Sequence, residues 1–318
     1  MIVPLDDGFR SWPLIEYLGV LWPDRTHKSL EGLFAKERLW SGSRPAGQRH
    51  KVGEIAELEL RGDIDDVPHI YLGESAATNL EILHEDDRLV VVAKPSGLPV
   101  VPDRQNAQGS VLGFLIRREL AGRGTKPSSA WIRPRIVHRI DRLTSGLVIA
   151  ARTPDAERKL AADFEHRRIR KSYLALLDGV VRPARCTVNC PVVPGRKGKM
   201  RAELAQGADE AKGSALSEFD VLERFAAHTL VCAKPRTGRT HQLRVHAWAA
   251  GHPLAVDPVY GVRRAAPPPA LAPLWPERLT LHAFRYELPD DWEEPRVFEC
   301  PVPDDLTRAI SALRDAGA

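Results

Sequence analysis

The sequence has no run of about 18 uncharged apolar residues, the least that a bilayer-crossing helix needs. Its opening stretch, MIVPLDDGFRSW, carries acids where a secretory leader carries basic residues. Together these absences argue against membrane and exported classes, and a cytoplasmic protein is expected. Cysteine is scarce: Cys186, Cys190, Cys232 and Cys300 have neither CxxC spacing nor a histidine cluster beside them, so reduced thiols are expected rather than a zinc site. Also missing is the regular strand and helix alternation of a doubly wound fold. What remains is an α+β reading: a mixed, largely antiparallel central sheet with flanking helices, and a small N-terminal α/β module.

What is present is an ordinary globular composition. Of 318 residues, 43% are apolar and 28% charged, far from a disordered chain, and the length exceeds a usual single domain. The charge is uneven. Residues 1–80 hold 9 Lys and Arg against 13 Asp and Glu, a net of −4, which leaves +8 for residues 81–318 out of the chain total of +4. The basic part is rich in arginine, whose planar fork suits phosphate, so a polyanionic partner is expected there.

Two domains are read along the chain, 1–75 and 80–318. In the first, WPLIEYLGVL and DRTHKSLEGLFAKERLW have helical periodicity, and GEIAELEL alternates as a strand. DIDDVPHIYLGESAATN is polar enough for a linker. Beyond it, HEDDRLVVVAKPSGLPV gives a buried strand and a turn at Pro95 to Gly97, SVLGFLIRREL a helix, RGTKPSSAWIRPR a loop and GLVIAAR a strand. Thr153 and Pro154 form a cap and first turn for the helix TPDAERKLAADFEHRR. KSYLALLDG, SEFDVLERF and HTLVCAKP read as strands, RTHQLRVHAWAA as a helix stopped by Gly251 and Pro253, and GVRRAAPPPALAPLWPER as a proline-rich loop before the strand LTLHAFRYEL.

The chemistry concentrates in RIVHRIDRLTSGLVIAART, where Asp141 sits among Arg135, His138, Arg139 and Arg142 just before an apolar strand. A lone aspartate beside arginines is commonly a weak surface ion pair, but loops at a sheet edge are where catalytic groups are displayed. A nearby guanidinium lowers a carboxyl pKa and suits a nucleophile or a base. In the helix RTHQLRVHAW, His241, Arg244 and Trp248 fall on one helical face, whereas His241 and His246, five apart, do not make the paired-histidine zinc arrangement. Tyr173 follows the basic run RRIRK; its ring can stack on a base and its hydroxyl can take part in proton transfer.

Taken in order, VVVAKPSGLPV, VHRIDRLTSGLVIAAR, KSYLALLDG, TGRTHQLRVHAWAAGHPLAVDPVYG and LHAFRYEL resemble the successive motifs of RluA-type pseudouridine synthases, from Asp87 to Cys300. The resemblance implies an RNA isomerase acting on a uridine of ribosomal or transfer RNA, with Asp141 as the essential carboxylate, Tyr173 against the target base and able to accept a proton, and Arg244 paired with Asp141. Arg139 corresponds to the arginine that enters the RNA stack in place of the flipped uridine, with His138, Arg239 and His241 as neighbouring RNA contacts. Residues 251–261 form a turn under the site. Ile140 and Val256 depart from the residues usual in the family, leucine and glycine. An isomerisation needs neither metal nor organic cofactor, and the resemblance implies a monomer. The N-terminal residues, with RTHK opening a nucleic-acid-facing helix and KVGEIAELEL a closing strand pair, resemble the small RNA-binding module named after a ribosomal small-subunit protein. Two rival readings follow from the residues: an RNA-binding protein without catalysis, and a glycosidic-bond hydrolase, which needs a second carboxylate, for which Asp257 is a candidate.

Overall fold

The computed structural model describes residues 1–68, 79–102, 109–123, 132–196, 199–203, 214–261, 271–294 and 296–316. Parts of three expected connections, the linker near 63–79, the loop 123–135 and the proline-rich loop 261–278, lie outside the described residues.

The N-terminal module runs β1 (Ile2–Val3), α1 (Leu14–Leu21), α2 (His27–Ala35), β2 (Leu39–Ser41), β3 (Arg44–Pro45) and β4 (Leu58–Leu60), with sheet order β1-β4-β2-β3. Phe9, Leu14, Tyr17, Leu18, Leu30, Leu33 and Leu58 form a core of its own. Two expectations shift here. Helix α2 ends at Ala35 rather than near residue 40, because Glu37 takes a left-handed backbone (φ 52°) and the Arg38 N–H closes onto the Leu33 carbonyl. The strand expected over 53–60 survives only as β4. Val52 and Gly53 instead donate to the carbonyls of Trp12 and Arg10, and the Glu54 carboxylate accepts the Lys51 N–H.

The larger unit comprises β5 (Glu81–Glu85), β6 (Leu89–Lys94), α3 (Val111–Ala121), β7 (Arg135–Ile136), β8 (Ser145–Ala151), α4 (Pro154–Glu165), β9 (Arg170–Asp178), β10 (Arg185–Asn189), β11 (Val192–Pro194), β12 (Met200–Ala202), β13 (Leu216–Arg224), β14 (His228–Pro235), α5 (Gln242–Ala249), β15 (Leu281–Glu287), β16 (Val297–Glu299) and α6 (Asp304–Asp315). Ten strands share one sheet in the order β10-β13-β14-β9-β15-β8-β6-β5, with β16 on β15 and β7 on β8. Only the β15–β8 pair is parallel among the described pairings, so the sheet is mixed and largely antiparallel, as the sequence reading expects. Sheet alternation sorts β9: Tyr173, Ala175 and Leu177 join the main core with α3, α4 and Leu243 of α5, while Leu174 and Leu176 face a second core with α6. Helix α6 corresponds to no element expected from the sequence; Leu306, Ile310 and Leu313 bury one of its faces there.

Three arginines join the two units. The Arg123 guanidinium donates to the Val20 and Leu21 carbonyls at 2.6 and 3.0 Å, Arg133 donates to the Arg25 carbonyl at 2.9 Å, and Arg135 pairs with Glu16 of α1 at 2.9 Å and Glu157 of α4 at 3.3 Å.

Candidate active site

Asp141 sits in a tight turn between β7 and β8, closed by the Thr144 N–H donating to the Asp141 carbonyl at 3.0 Å. The KPSG turn after β6 holds that loop from behind. Lys94, 2% exposed, donates from one ammonium to the carbonyls of Pro95, Leu98 and Arg142, while the Gly97 N–H and the Ser96 hydroxyl donate to the carbonyls of Arg142 and Leu143. Burial lowers the Lys94 pKa to about 7, against the opposing pull of Asp141. Below the loop, Gly146 (φ 117°) passes so close to β15 that a Cβ would lie 2.2 Å from the Ala283 carbonyl oxygen. Glycine is required there.

The opposite wall is the start of α5. The expected helix from Arg239 begins at Gln242, because residues before it are closed by the Gln242 side chain: its carbonyl accepts from the Thr237 hydroxyl and the Arg239 N–H, and its amide donates to the Leu216 carbonyl and the Ser217 hydroxyl. His241 stands outside the helix in a left-handed conformation (φ 56°), so it does not share a face with Arg244 and Trp248. Those two diverge as well: Arg244 is 2% exposed and Trp248 46%. His246 is fully buried between the Ser217 hydroxyl and the Cys190 carbonyl, a structural histidine.

Arg244 reaches Asp141 at 3.3 Å through one guanidinium nitrogen. Its stronger partner is Asp257, gripped by two parallel bonds of 2.8 Å, with the Asp257 side chain sealed from solvent and further held by the N–H groups of Val259 and Tyr260. The expected Arg244–Asp141 pair is present, and Asp257 is a further partner that the sequence reading did not give to Arg244. Burial disfavours the Arg244 charge, but the Asp257 bonds and the charges of Asp257 and Asp141 outweigh it and raise the pKa. Asp257 cannot serve as the second carboxylate of a hydrolase, because both its oxygens are committed to Arg244 and to backbone amides.

Asp141, Tyr173, Arg139, His138, Arg239, His241 and Arg244 all line one cavity of about 510 Å³. Tyr173 is 8% exposed and its hydroxyl bonds to that of Tyr286 at 2.8 Å. Burial, with the Asp141 charge adding to it, raises the phenol pKa above its usual value. A phenol held protonated is a poor proton acceptor, so its ring is the part suited to a substrate base. His138 packs against the Phe164 ring at 4.3 Å and accepts the Ile149 N–H at 2.9 Å; burial pushes its pKa down to about 3, which keeps it uncharged. His241 is also lowered, first by burial, and bonds to the Tyr260 hydroxyl at 2.8 Å. Both histidines are thereby shifted towards the neutral form, in which they can contact RNA by stacking or hydrogen bonding rather than by charge, whereas Arg139 and Arg239 stand exposed. The fold has set these residues around one carboxylate.

The sequence profile of the RNA pseudouridylate synthase family matches residues 88–249. The chain belongs to that family. It is an isomerase of the kind that acts on RNA. The synthase is 32% identical over 313 residues to ribosomal large subunit pseudouridine synthase D of Nitrosomonas europaea, covering 97% of this chain and 86% of that one. It is 33% identical over 274 residues to ribosomal large subunit pseudouridine synthase C of Vibrio parahaemolyticus, covering 84% and 81%. Among solved structures it resembles human RNA pseudouridylate synthase domain containing 4, with a TM-score of 0.57 and 26% identity, over 73% of this chain and 92% of that one.

Sequence reasoning left Asp257 as a rival catalytic acid and missed Tyr286 and Lys94. Asp257 carries no local sign of its partner, since Arg244 lies on another element. Lys94 was legible only as part of the turn after a buried strand, where a lysine inside an apolar run asks for carbonyl partners.

Proposed function

We propose that the synthase converts a specific uridine of large-subunit ribosomal RNA to pseudouridine, with Asp141 as the nucleophile or base. Ribosomal rather than transfer RNA is favoured by the names of its relatives, which are ribosomal large subunit enzymes. The observation that carries the catalytic assignment is the order of contacts at the cavity floor. Arg244 is locked by Asp257 and offers one remaining nitrogen, 3.3 Å away, to Asp141. A fixed cation beside a loop-borne carboxylate orients it and stabilises its charge when a base seals the cavity from water.

In the reaction the uridine leaves the RNA stack at a cost of a few kcal/mol, less from a loop than from a helix, which favours a loop or bulge target. Asp141 attacks the nucleoside or removes a proton, and the bond between N1 and the ribose C1′ breaks. The base turns within the cavity against the Tyr173 ring, C5 bonds to C1′, the hydrogen leaves C5 and N1 gains a proton. Composition is unchanged, so no external oxidant, reductant or group carrier is consumed. Arg139, exposed beside Asp141, fills the gap in the stack, and recognition otherwise rests on phosphates and RNA shape.

The test is tritium release from ribosomal RNA transcripts labelled at uridine C5, with the Asp141→Asn protein in parallel. Release by the wild type alone is the expected result. Release by both removes Asp141 from the chemistry, and release by neither favours an RNA-binding protein without catalysis.

A further inference from the structure

One side of the cavity carries two cations that the reaction described above does not use. Arg167 follows the last turn of α4 and Lys171 lies in β9, two residues before Tyr173. Both line the cavity that holds Asp141. Lys171 is partly buried, and neither it nor the Arg167 side chain forms a hydrogen bond or an ion pair among the described residues. This sets them apart from their neighbours. Arg168 pairs with Asp163 and Asp291, and Arg170 pairs with Glu287. Glu165, exposed on the same rim, pairs with neither.

The backbone at Arg167 adds an independent observation. Helix α4 ends in a Schellman turn: the Arg168 N–H donates to the Asp163 carbonyl at 2.8 Å and the Arg167 N–H to the Phe164 carbonyl at 3.2 Å. Arg167 occupies the left-handed position of that turn (φ 59°), where glycine is favoured and a residue with a Cβ is strained. A long cation is thus kept at a place where folding alone prefers no side chain. Lys171 is placed at a cost too: burial, and then the Arg167 charge, lower its pKa. Two like charges share one wall of the cavity, and neither is paired with the acids that also line it, Asp141 and Glu165. A bound anion offsets the desolvation of Lys171 and the repulsion between the two cations.

We propose that Arg167 and Lys171 form a clamp for an RNA backbone phosphate beside the flipped uridine, holding the nucleotide while its base turns against Tyr173. The inference rests on the RNA-isomerase reading and deepens it. The clamp acts on the linkage that does not break, so it positions the substrate and touches no reacting atom.

The experiment uses the full chain and tritium-labelled large-subunit ribosomal RNA transcripts, with Arg167→Gly, Lys171→Met, Lys171→Arg and Arg170→Gln compared over a series of salt concentrations. Arg167→Gly is expected to melt at a higher temperature than the wild type while its KM rises by roughly tenfold, and the dependence of affinity on salt to lose about one unit of log–log slope per lost phosphate contact. Lys171→Met should raise KM similarly and Lys171→Arg should restore it. Arg170→Gln, which removes an exposed charge outside the cavity, should leave KM near the wild-type value. The clamp is overturned if Arg167→Gly and Lys171→Met keep the wild-type KM and salt slope, or if Arg170→Gln costs as much as they do. Absence of release by the wild type itself removes the underlying reading instead, a result visible before any variant is compared.

Discussion

At the scale of single residues, Arg244 decides how the cavity floor behaves. It bridges two carboxylates of unequal standing: Asp257 sealed and doubly bonded, Asp141 partly open and singly bonded. Removing one member of a buried pair strands the other charge and costs roughly 3 to 5 kcal/mol. Arg244→Ala and Asp257→Ala are each expected to lose that much in urea unfolding and to lose turnover. Asp141→Asn leaves the buried pair intact, so its stability should stay within about 1 kcal/mol of wild type while turnover disappears. Equal destabilisation by all three would mean that Asp141 belongs to the buried pair. The residue types at this site were legible in the sequence, and so was the gathering of charged groups around Asp141. The Asp257 partnership was not, because a bidentate contact across 13 residues depends on how the 251–261 turn folds back under α5.

At the scale of elements, the site is made by two loops at one end of the sheet, each fastened by groups behind it. The Asp141 loop is held by Lys94, Ser96 and Gly97, and the approach to α5 by Gln242. Closeness of β8 and β15 is what lets both loops meet over Tyr173, and Gly146 permits it. Gly146→Ala must place a Cβ against the Ala283 backbone at a positive φ that alanine resists. The expected loss is roughly 3 kcal/mol or more, read as a fall in urea midpoint or in soluble yield. A variant as stable as wild type would show that the two strands can part without harm. The long elements, α3, α4, β8, β9, β14 and β15, were readable from periodicity and caps. Short ones were not: the alternation over residues 53–60 reads as a strand, yet the Val52 and Gly53 amides donate to the Trp12 and Arg10 carbonyls and the Glu54 amide to that of Lys51, which leaves only Leu58–Leu60 in the sheet.

At the scale of the molecule, the N-terminal module and the larger unit are joined through arginines whose partners are mostly main-chain carbonyls of α1 and the turn after it. Acid stability is a second global property with a local origin. Burial pushes His138 down to about 3 and His282, bonded to Ser145 and the Cys300 carbonyl, down to about 4, from an ordinary 6.5. In the unfolded chain both take a proton near pH 6.5, so protonation favours unfolding. The stability they permit is complete above pH 6.5 and is lost as the pH falls below it, down to the folded-state values. At pH 5 the loss is about 2 kcal/mol per histidine. Urea midpoints at pH 7.5 and 5 should differ accordingly, and a His138→Asn variant should show a shallower decline; equal midpoints at both pH values would contradict the burial of both rings.

The sequence by itself determined the fold class, the order of the long elements, the family motifs and the acid at their centre, because periodicity, caps and motif spacing are local and survive in one dimension. The tertiary structure alone decided that Asp257 joins Asp141 on Arg244, that burial lowers the pKa of His138 and His241, that His241 leaves the helix, and that Arg167 and Lys171 line one cavity with neither paired to an acid. Each of these is set by burial and by contacts between segments distant in the chain. Desolvation and pairing are properties of the folded surroundings, and no local pattern encodes them.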